Sequence, residues 1–318
     1  MLSFFLMIYF GKETFHVQER EQVKAVQEDP LHIVLIPEEM NNPYWRMIER
    51  GAKKVASEHN VYLEYEGPKQ ADNDEQLRIL DKMIDAEVDG ILVQGVEDER
   101  FVQLVTLARE KGIPVVTLDG DVPMSSRNAY VGMDNYRAGY VAGKSLIYET
   151  TGEQFVGIIA GRLDSVHQRE RIRGFKEAIK QEKRIQLLTI KESSLTTIGA
   201  AQATYQLFKQ YPEVTAIFGA SILDGDGILQ GMEQMNRSKR KATIITIDTL
   251  SQAKAYLKEG YVDASIIQYP EQMGEKGMTL MLGFLEGQYA DALQHTPIEL
   301  ITKEEVRIEE QQGKGEQP

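Results

Sequence analysis

At 318 residues, with 42% hydrophobic and 27% charged side chains, the chain has the composition of an ordinary globular protein and room for two α/β lobes or one large barrel. Its net charge of −13 offers no basic face to neutralise phosphates, which argues against a nucleic-acid partner. The absence of cysteine excludes disulfides, thiolate nucleophiles, cysteine-bound zinc or iron–sulfur centres, and a lipid-modified N-terminal cysteine.

Residues 1–10 are apolar but too few to cross a bilayer as a helix, and they lack a basic flank and a small-residue cleavage site. They read as the remnant of a signal anchor whose start lies upstream, with the polar residues up to 30 as a stalk. From Leu31 the pattern changes to short apolar runs alternating with amphipathic stretches. Strands are expected at 32–36, 61–66, 90–93, 114–118 and 129–131, then at 155–159, 186–190, 216–219, 243–247 and 263–267. Helices of about three turns fill the intervals, beginning near 44, 75, 99, 136, 166, 197, 222, 251 and 272. Several strands are continuous β-branched runs, as in parallel sheets covered on both faces. Strict β/α alternation in two series implies an α/β protein of two doubly wound parallel-sheet lobes. The polar, Gly- and Gln-rich residues 307–318 are expected to be a disordered tail.

Open α/β sheets bind ligands beyond the carboxyl ends of their strands. At those positions stand Asn42, Tyr44 and Trp45, then Asp119, Arg169, Ser221, Asp248 and Gln268. Carboxylates and amides take sugar hydroxyls in paired hydrogen bonds, while aromatic rings cover C–H faces, so this set suits a polyhydroxylated ligand in a cleft between lobes. Competing readings are weaker. Asp119 and Asp248 as a general acid–base pair lack a nucleophile or metal set, so no enzyme activity is expected. Residues 138–145 match a permissive phosphate-loop pattern, yet they continue a helix instead of bending between strand and helix. The Asp224-Gly225-Asp226-Gly227 run lacks the remaining ligands of a calcium loop, and the histidines are scattered. No cofactor and no metal are expected.

At these residues the chain resembles the ribose-binding-protein branch of the type 1 periplasmic binding proteins, whose ligand-binding portion is shared by LacI-type regulators. The resemblance runs from about 31 to 306. It is carried by Asn41-Asn42-Pro43-Tyr44-Trp45, Val88-Asp89-Gly90-Ile91-Leu92-Val93, Gly112-Ile113-Pro114-Val115-Val116-Thr117-Leu118-Asp119 and Asp134-Asn135. In the second half it adds Arg169-Glu170-Arg171-Ile172-Arg173-Gly174-Phe175, Ile247-Asp248 and Gln268-Tyr269-Pro270. It implies sugar contacts for Asn42, Asp119, Arg169, Asp248 and Gln268, with Tyr44 and Trp45 sandwiching the ring. Ser221 falls where the family has a polar contact and Leu195 where some members have an aromatic. Glu38 replaces a small polar residue, Gly120 replaces an arginine and Ser221-Ile222 replaces an Asn-Asp pair, so the resemblance implies a pentose or hexose other than ribose.

By analogy the first lobe is 31–133 plus 266–294 and the second 134–265 plus 295–306, joined by a three-strand hinge with crossings near Asp134, Ser265 and His295. Hinge closure on the sugar is the implied mechanism. The apolar N-terminus, the polar stalk and the missing lipidation cysteine favour an extracytoplasmic, membrane-anchored sensor reporting to a histidine kinase. The alternative is the solute receptor of an ABC importer, working with its permease. A transcription regulator would need a helix-turn-helix of about 50–60 residues ahead of Leu31, where only thirty residues stand, without a basic helix.

Overall fold

The computed structural model describes residues 29–235 and 242–308. The anchor and stalk to residue 28, and the tail from 309, lie outside the described residues. Arg307 and Ile308, assigned to the tail from sequence, instead close a short helix that begins at Lys303.

The chain opens with β1 (Leu31–Ile36), α1 (Pro43–Ala56), β2 (Val61–Tyr65), α2 (Asn73–Asp85), β3 (Gly90–Gln94), α3 (Glu99–Glu110), β4 (Val115–Leu118) and β5 (Ala129–Gly132). The second series is α4 (Asn135–Glu149), β6 (Gln154–Ala160), α5 (Val166–Ile179), β7 (Ile185–Glu192), α6 (Thr197–Gln210), β8 (Ala216–Gly219), α7 (Asp224–Gln234), β9 (Thr243–Thr249), α8 (Leu250–Glu259) and β10 (Ala264–Gln268). It ends with α9 (Pro270–Leu285), β11 (Leu293–His295) and β12 (Glu299–Thr302).

Two six-stranded sheets result, in the orders β11-β5-β4-β3-β1-β2 and β12-β10-β9-β8-β6-β7. Pairing is parallel between β1 and β3, β3 and β4, β8 and β9, and β9 and β10; the edge strand β12 runs antiparallel to β10. The central strands are buried end to end, as the unbroken apolar runs require when helices cover both faces. Side-chain caps from Asn42, Asp72, Asp98, Asp134 and Thr196 start α1, α2, α3, α4 and α6. The phosphate-loop look-alike lies inside α4.

The chain passes between the lobes at 133–134, at Tyr269 and at 296–298. The second passage corrects the expected crossing at Ser265 and the boundary at 266. The ladder between β10 and β9 continues to Gln268 opposite Thr249, and it stops only where Pro270, which has no N–H to donate, opens α9. Strands β11 and β12 were not anticipated, because they are short, partly exposed and without alternation.

In each lobe a glycine pair, one on each helix, lets two helices cross very closely. In the first lobe, a Cβ on Gly51 would stand 2.0 Å from the Glu271 carbonyl oxygen, and one on Gly274 1.9 Å from that of Ile48. In the second, a Cβ on Gly139 would meet the Arg171 carbonyl oxygen at 1.8 Å, and one on Gly174 that of Tyr136 at 1.9 Å. The α4–α5 contact therefore fixes where the backbone of Arg171 sits. Gly139→Ala has no side-chain end to push aside and must separate the helices. It is expected to lower stability by about 1–3 kcal/mol, read from thermal unfolding, with a parallel loss of ligand affinity as α5 is displaced. Unchanged melting would show that the crossing yields without strain.

Candidate functional site

The carboxyl ends of both sheets face one another across a cleft that holds about 350 Å³ of space outside the lining atoms, counting the solvent at its mouth. The lobes are closed on it.

The first lobe supplies a corner. Asn42, at the N-cap of α1, accepts from the Tyr44 N–H at 3.0 Å, and Pro43 sets the first helical φ. Tyr44 and Trp45 follow, 6% and 1% exposed. Their rings meet at 84° with centroids 6.2 Å apart. They therefore form an edge-to-face corner and not the two parallel plates of a sandwich, because successive helical residues project about 100° apart. Tyr44 donates its hydroxyl to Asp119 Oδ1 at 2.8 Å. Burial, then the nearby Asp119 charge, holds that phenol well above its ordinary pKa, so it remains a donor. Asp119 follows β4 in the left-handed region at φ 61°, with its carbonyl oxygen fixed by Tyr130 Oη at 3.0 Å and Asn135 Nδ2 at 3.2 Å. Strain of this kind in a non-glycine residue costs about 1–3 kcal/mol and collects at binding sites.

The second lobe supplies the donors. Arg171 is 2% exposed, and each of its three nitrogens makes one bond, which leaves a second N–H on each Nη: Nε donates to Asn135 Oδ1 at 2.8 Å, Nη1 to the Ala220 carbonyl at 2.8 Å and Nη2 to Gln268 Oε1 at 3.0 Å. His167, one turn earlier on α5, and Gln168 beside it also line the cavity. From the edge comes Leu195, left-handed at φ 54° directly after Ser194 at φ 50°. Ser221 follows β8, its N–H held by Asp224 Oδ2 at 2.8 Å and its hydroxyl without a partner.

Within the cavity, Asp119 of the first lobe and the donors of the second approach without bonding. Asp119 Oδ2 stands 3.7 Å from His167 Nδ1, and Asp119 Oδ1 stands 3.9 Å from Arg171 Nη2. Both distances exceed a hydrogen bond. His167 Nδ1 and Ser221 Oγ are buried with no partner at all. Buried polar atoms are almost always paired, and these two belong to residues that line the cavity.

Of the residues expected from sequence, Asn42, Tyr44, Trp45, Asp119, Ser221 and Gln268 line this one cavity, together with Glu38 and Leu195. Two do not. Arg169 points out of the cleft, where it pairs with Glu97 and donates to the Asp164 carbonyl at 2.5 Å. Residues two apart on a helix project about 200° apart, so Arg169 and Arg171 take opposite faces of α5. Asp248 is fully buried behind the first turn of α7, where a Cβ on Gly225 would lie 3.4 Å from its Oδ1. It accepts from Ser265 Oγ at 3.2 Å, and its Oδ1 is unpartnered. Asp119 and Asp248 thus do not share a space in which to act as an acid–base pair.

Sequence reasoning missed Arg171, His167 and Gln168. A signal existed: Arg171 stands four residues before Phe175 and four after His167, on the apolar stripe that packs α5 against its sheet. The other unanticipated element is a buried acidic pair. Burial raises Asp224 to about 7 and Asp248 to about 7, opposed at Asp224 by the bond from the Ser221 N–H and at Asp248 by the bond from the Ser265 hydroxyl. Among the described residues no group of histidines, aspartates and glutamates could hold a metal ion, and no helix is long and apolar enough to cross a membrane.

Residues 33–288 match the family described as periplasmic binding protein domain. GanP, a glucose-galactose binding protein from Geobacillus stearothermophilus, is 43% identical with a TM-score of 0.81, the alignment covering 87% of this chain and 99% of GanP. XylFII, solved alone and in a complex with LytSN, is 31% identical with a TM-score of 0.81, covering 86% of this chain and 98% of XylFII. A D-ribose/D-allose-binding protein of Pseudomonas aeruginosa is 24% identical over 293 residues, 88% of this chain and 91% of the relative. The match of most of the chain to the family, on a fold of two doubly wound lobes closed over a polar cavity, places this protein in the periplasmic binding protein domain family.

Proposed function

We propose that the protein is an extracytoplasmic receptor that closes on one monosaccharide and has no catalytic activity. The observation that carries this reading is the set of unfilled polar positions inside the closed cleft. His167 Nδ1 and Ser221 Oγ lack partners, and Asp119 faces His167 and Arg171 at 3.7 and 3.9 Å. A hydroxyl placed there would bridge the lobes as acceptor and donor at once, and the Tyr44–Trp45 corner would take a C–H face. A bridging ligand stabilises closure because only the closed state satisfies both walls. Asn42, Tyr44, Trp45, Asp119, Arg171, Ser221 and Gln268 are the proposed contacts, with Asp248 behind them. The names of similar proteins support a hexose or pentose, glucose and galactose first.

For the step after closure, we favour a membrane-associated sensor that reports to a histidine kinase. The apolar residues 1–10 support it, as does the crystallised partnership of XylFII with a second protein. The second reading, receptor of a sugar ABC importer, has the support of relatives named for ribose import. Sugar-dependent stimulation of kinase autophosphorylation or of permease-coupled ATPase activity separates the two.

The test of sugar binding uses Trp45, the sole tryptophan. Titrating glucose, galactose, xylose, arabinose, ribose and allose is expected to give a saturable change in its fluorescence for one of them. A folded protein that responds to none, with no thermal shift, would remove the sugar reading.

A further inference from the structure

Glu38 stands on the first-lobe wall of the cavity, just past β1, and is 4% exposed. Both of its carboxyl oxygens are already engaged by protein. Oε1 accepts from Ser165 Oγ at 3.0 Å, from the opposite lobe, and Oε2 accepts from Gln94 Nε2 at 3.3 Å. Arg162, on the same second-lobe loop as Ser165, brings Nη1 to 3.6 Å from Oε1 and donates Nη2 to Asn73 Oδ1, again on the first lobe, at 3.2 Å. Ser165 occupies the N-cap of α5 yet makes no side-chain cap bond. A serine there ordinarily accepts from an N–H of its own helix, which stabilises the helix start. Here the hydroxyl reaches across the cleft instead.

We propose that Glu38 is a positioning residue and not a sugar ligand: through Ser165 and Arg162 it latches the loop before α5 onto the first lobe, so that the cleft closes and presents His167, Gln168 and Arg171 before sugar arrives. The inference rests on the sugar-receptor reading for its purpose. The latch itself involves only protein groups.

The latch responds to pH. The charged and titratable groups around Glu38 are His167 and Arg162, which favour its ionised form, and Asp119, which opposes it; Asp164 pairs with Arg162 behind them. Burial in the closed cleft outweighs the favourable charges and raises the carboxyl pKa. In an open cleft water reaches the group and that penalty disappears. Closure therefore takes up a proton, and the sugar-free closed population falls as pH rises.

The cysteine-free chain allows a direct test. Cysteines introduced for Tyr148 in the second lobe and Tyr289 in the first, 83% and 92% exposed, carry a fluorophore pair. The inter-lobe distance distribution is then followed without sugar from pH 4.5, the ordinary value of a glutamate, upward to 8.5. The wild type is expected to show a closed population that shrinks with rising pH. Glu38→Gln, which keeps a hydrogen-bonding group, should stay closed at every pH. Glu38→Ala and Ser165→Ala should each reduce the closed-to-open ratio about fivefold, the equilibrium worth of one hydrogen bond. If Glu38→Ala leaves the sugar-free distribution unchanged, or Glu38→Gln behaves as Glu38→Ala, the latch is wrong, whatever sugar the protein binds. If the variants behave as expected but no sugar of the panel shifts the distribution, the latch stands and the sugar reading fails.

Discussion

Arg171→Lys is expected to weaken sugar binding at least about a hundredfold, while Arg169→Ala, two residues earlier, leaves it within about fivefold. The buried guanidinium of Arg171 ties together three parts of the site: Asn135 at the first hinge crossing, the Ala220 carbonyl next to Ser221, and Gln268 at the second crossing. A lysine ammonium is a point charge and cannot meet three acceptors set around a planar fork. Each hydrogen bond to a charged group is worth about 1.5–3 kcal/mol, and an abandoned buried acceptor adds its own penalty, so a loss of about 2.7 kcal/mol is a conservative sum. Arg169 has only exposed partners, Glu97 and the Asp164 carbonyl. Its side chain is 40% exposed, and surface pairs of this kind contribute about 0–1 kcal/mol. Calorimetric titration of both variants measures the contrast. Equal effects from the two would mean that α5 does not present the face described here.

Folding stability is expected to fall as pH rises from about 4 to about 7, and Asp224→Asn to remove much of that fall. Asp224 and Asp248 have no exposed surface, each has an oxygen without a partner, and burial holds each near 7 in the fold against an ordinary value of 3.8. The sign follows from proton counting. Between those two values the folded chain keeps protons that the unfolded chain has released, so every rise in pH favours unfolding. Below about 4 both states are protonated, and above about 7 both have released their protons, so the dependence levels off at each end. The slope is at most about 1.4 kcal/mol per pH unit for each group. Because each charge raises the other, the two protons leave in two steps that belong to the pair and not to either residue alone. Asparagine at 224 can still accept the Ser221 N–H through its amide oxygen, so the substitution removes a charge without removing that bond. Asp224→Asn should therefore raise the melting temperature by several degrees at pH 8 and change little at pH 4. Scanning calorimetry across that range decides it; an equal shift at both ends would mean that the carboxyl is not protonated in the fold.

Much of the site was legible in the chain itself. Alternating apolar runs and caps are local signals, and they located α1 to α9 and all but the last two strands, though not the short helix from Lys303. The rule that ligands lie beyond strand ends then selected Asn42, Tyr44, Trp45, Asp119, Ser221 and Gln268, which do line one cavity. What failed had a physical cause each time. Choosing Arg169 over Arg171 needed the rotation of α5 about its axis, which is set by the Gly139–Gly174 crossing with α4. The depth of Asp248 depends on α7 lying over it, with Gly225 above the carboxylate. The passage at Tyr269 depends on how far the β9–β10 ladder extends before Pro270 ends it.

Sequence alone therefore determined which segments become strands and helices, and which strand ends carry polar groups, because period, capping and strand direction are properties of neighbouring residues. Only the tertiary structure decided which of those groups share a space, which carboxylates lie too deep to reach it, and that Ser165 reaches Glu38 instead of capping its own helix. Those outcomes depend on the approach of elements distant in the chain, and no local pattern encodes that distance.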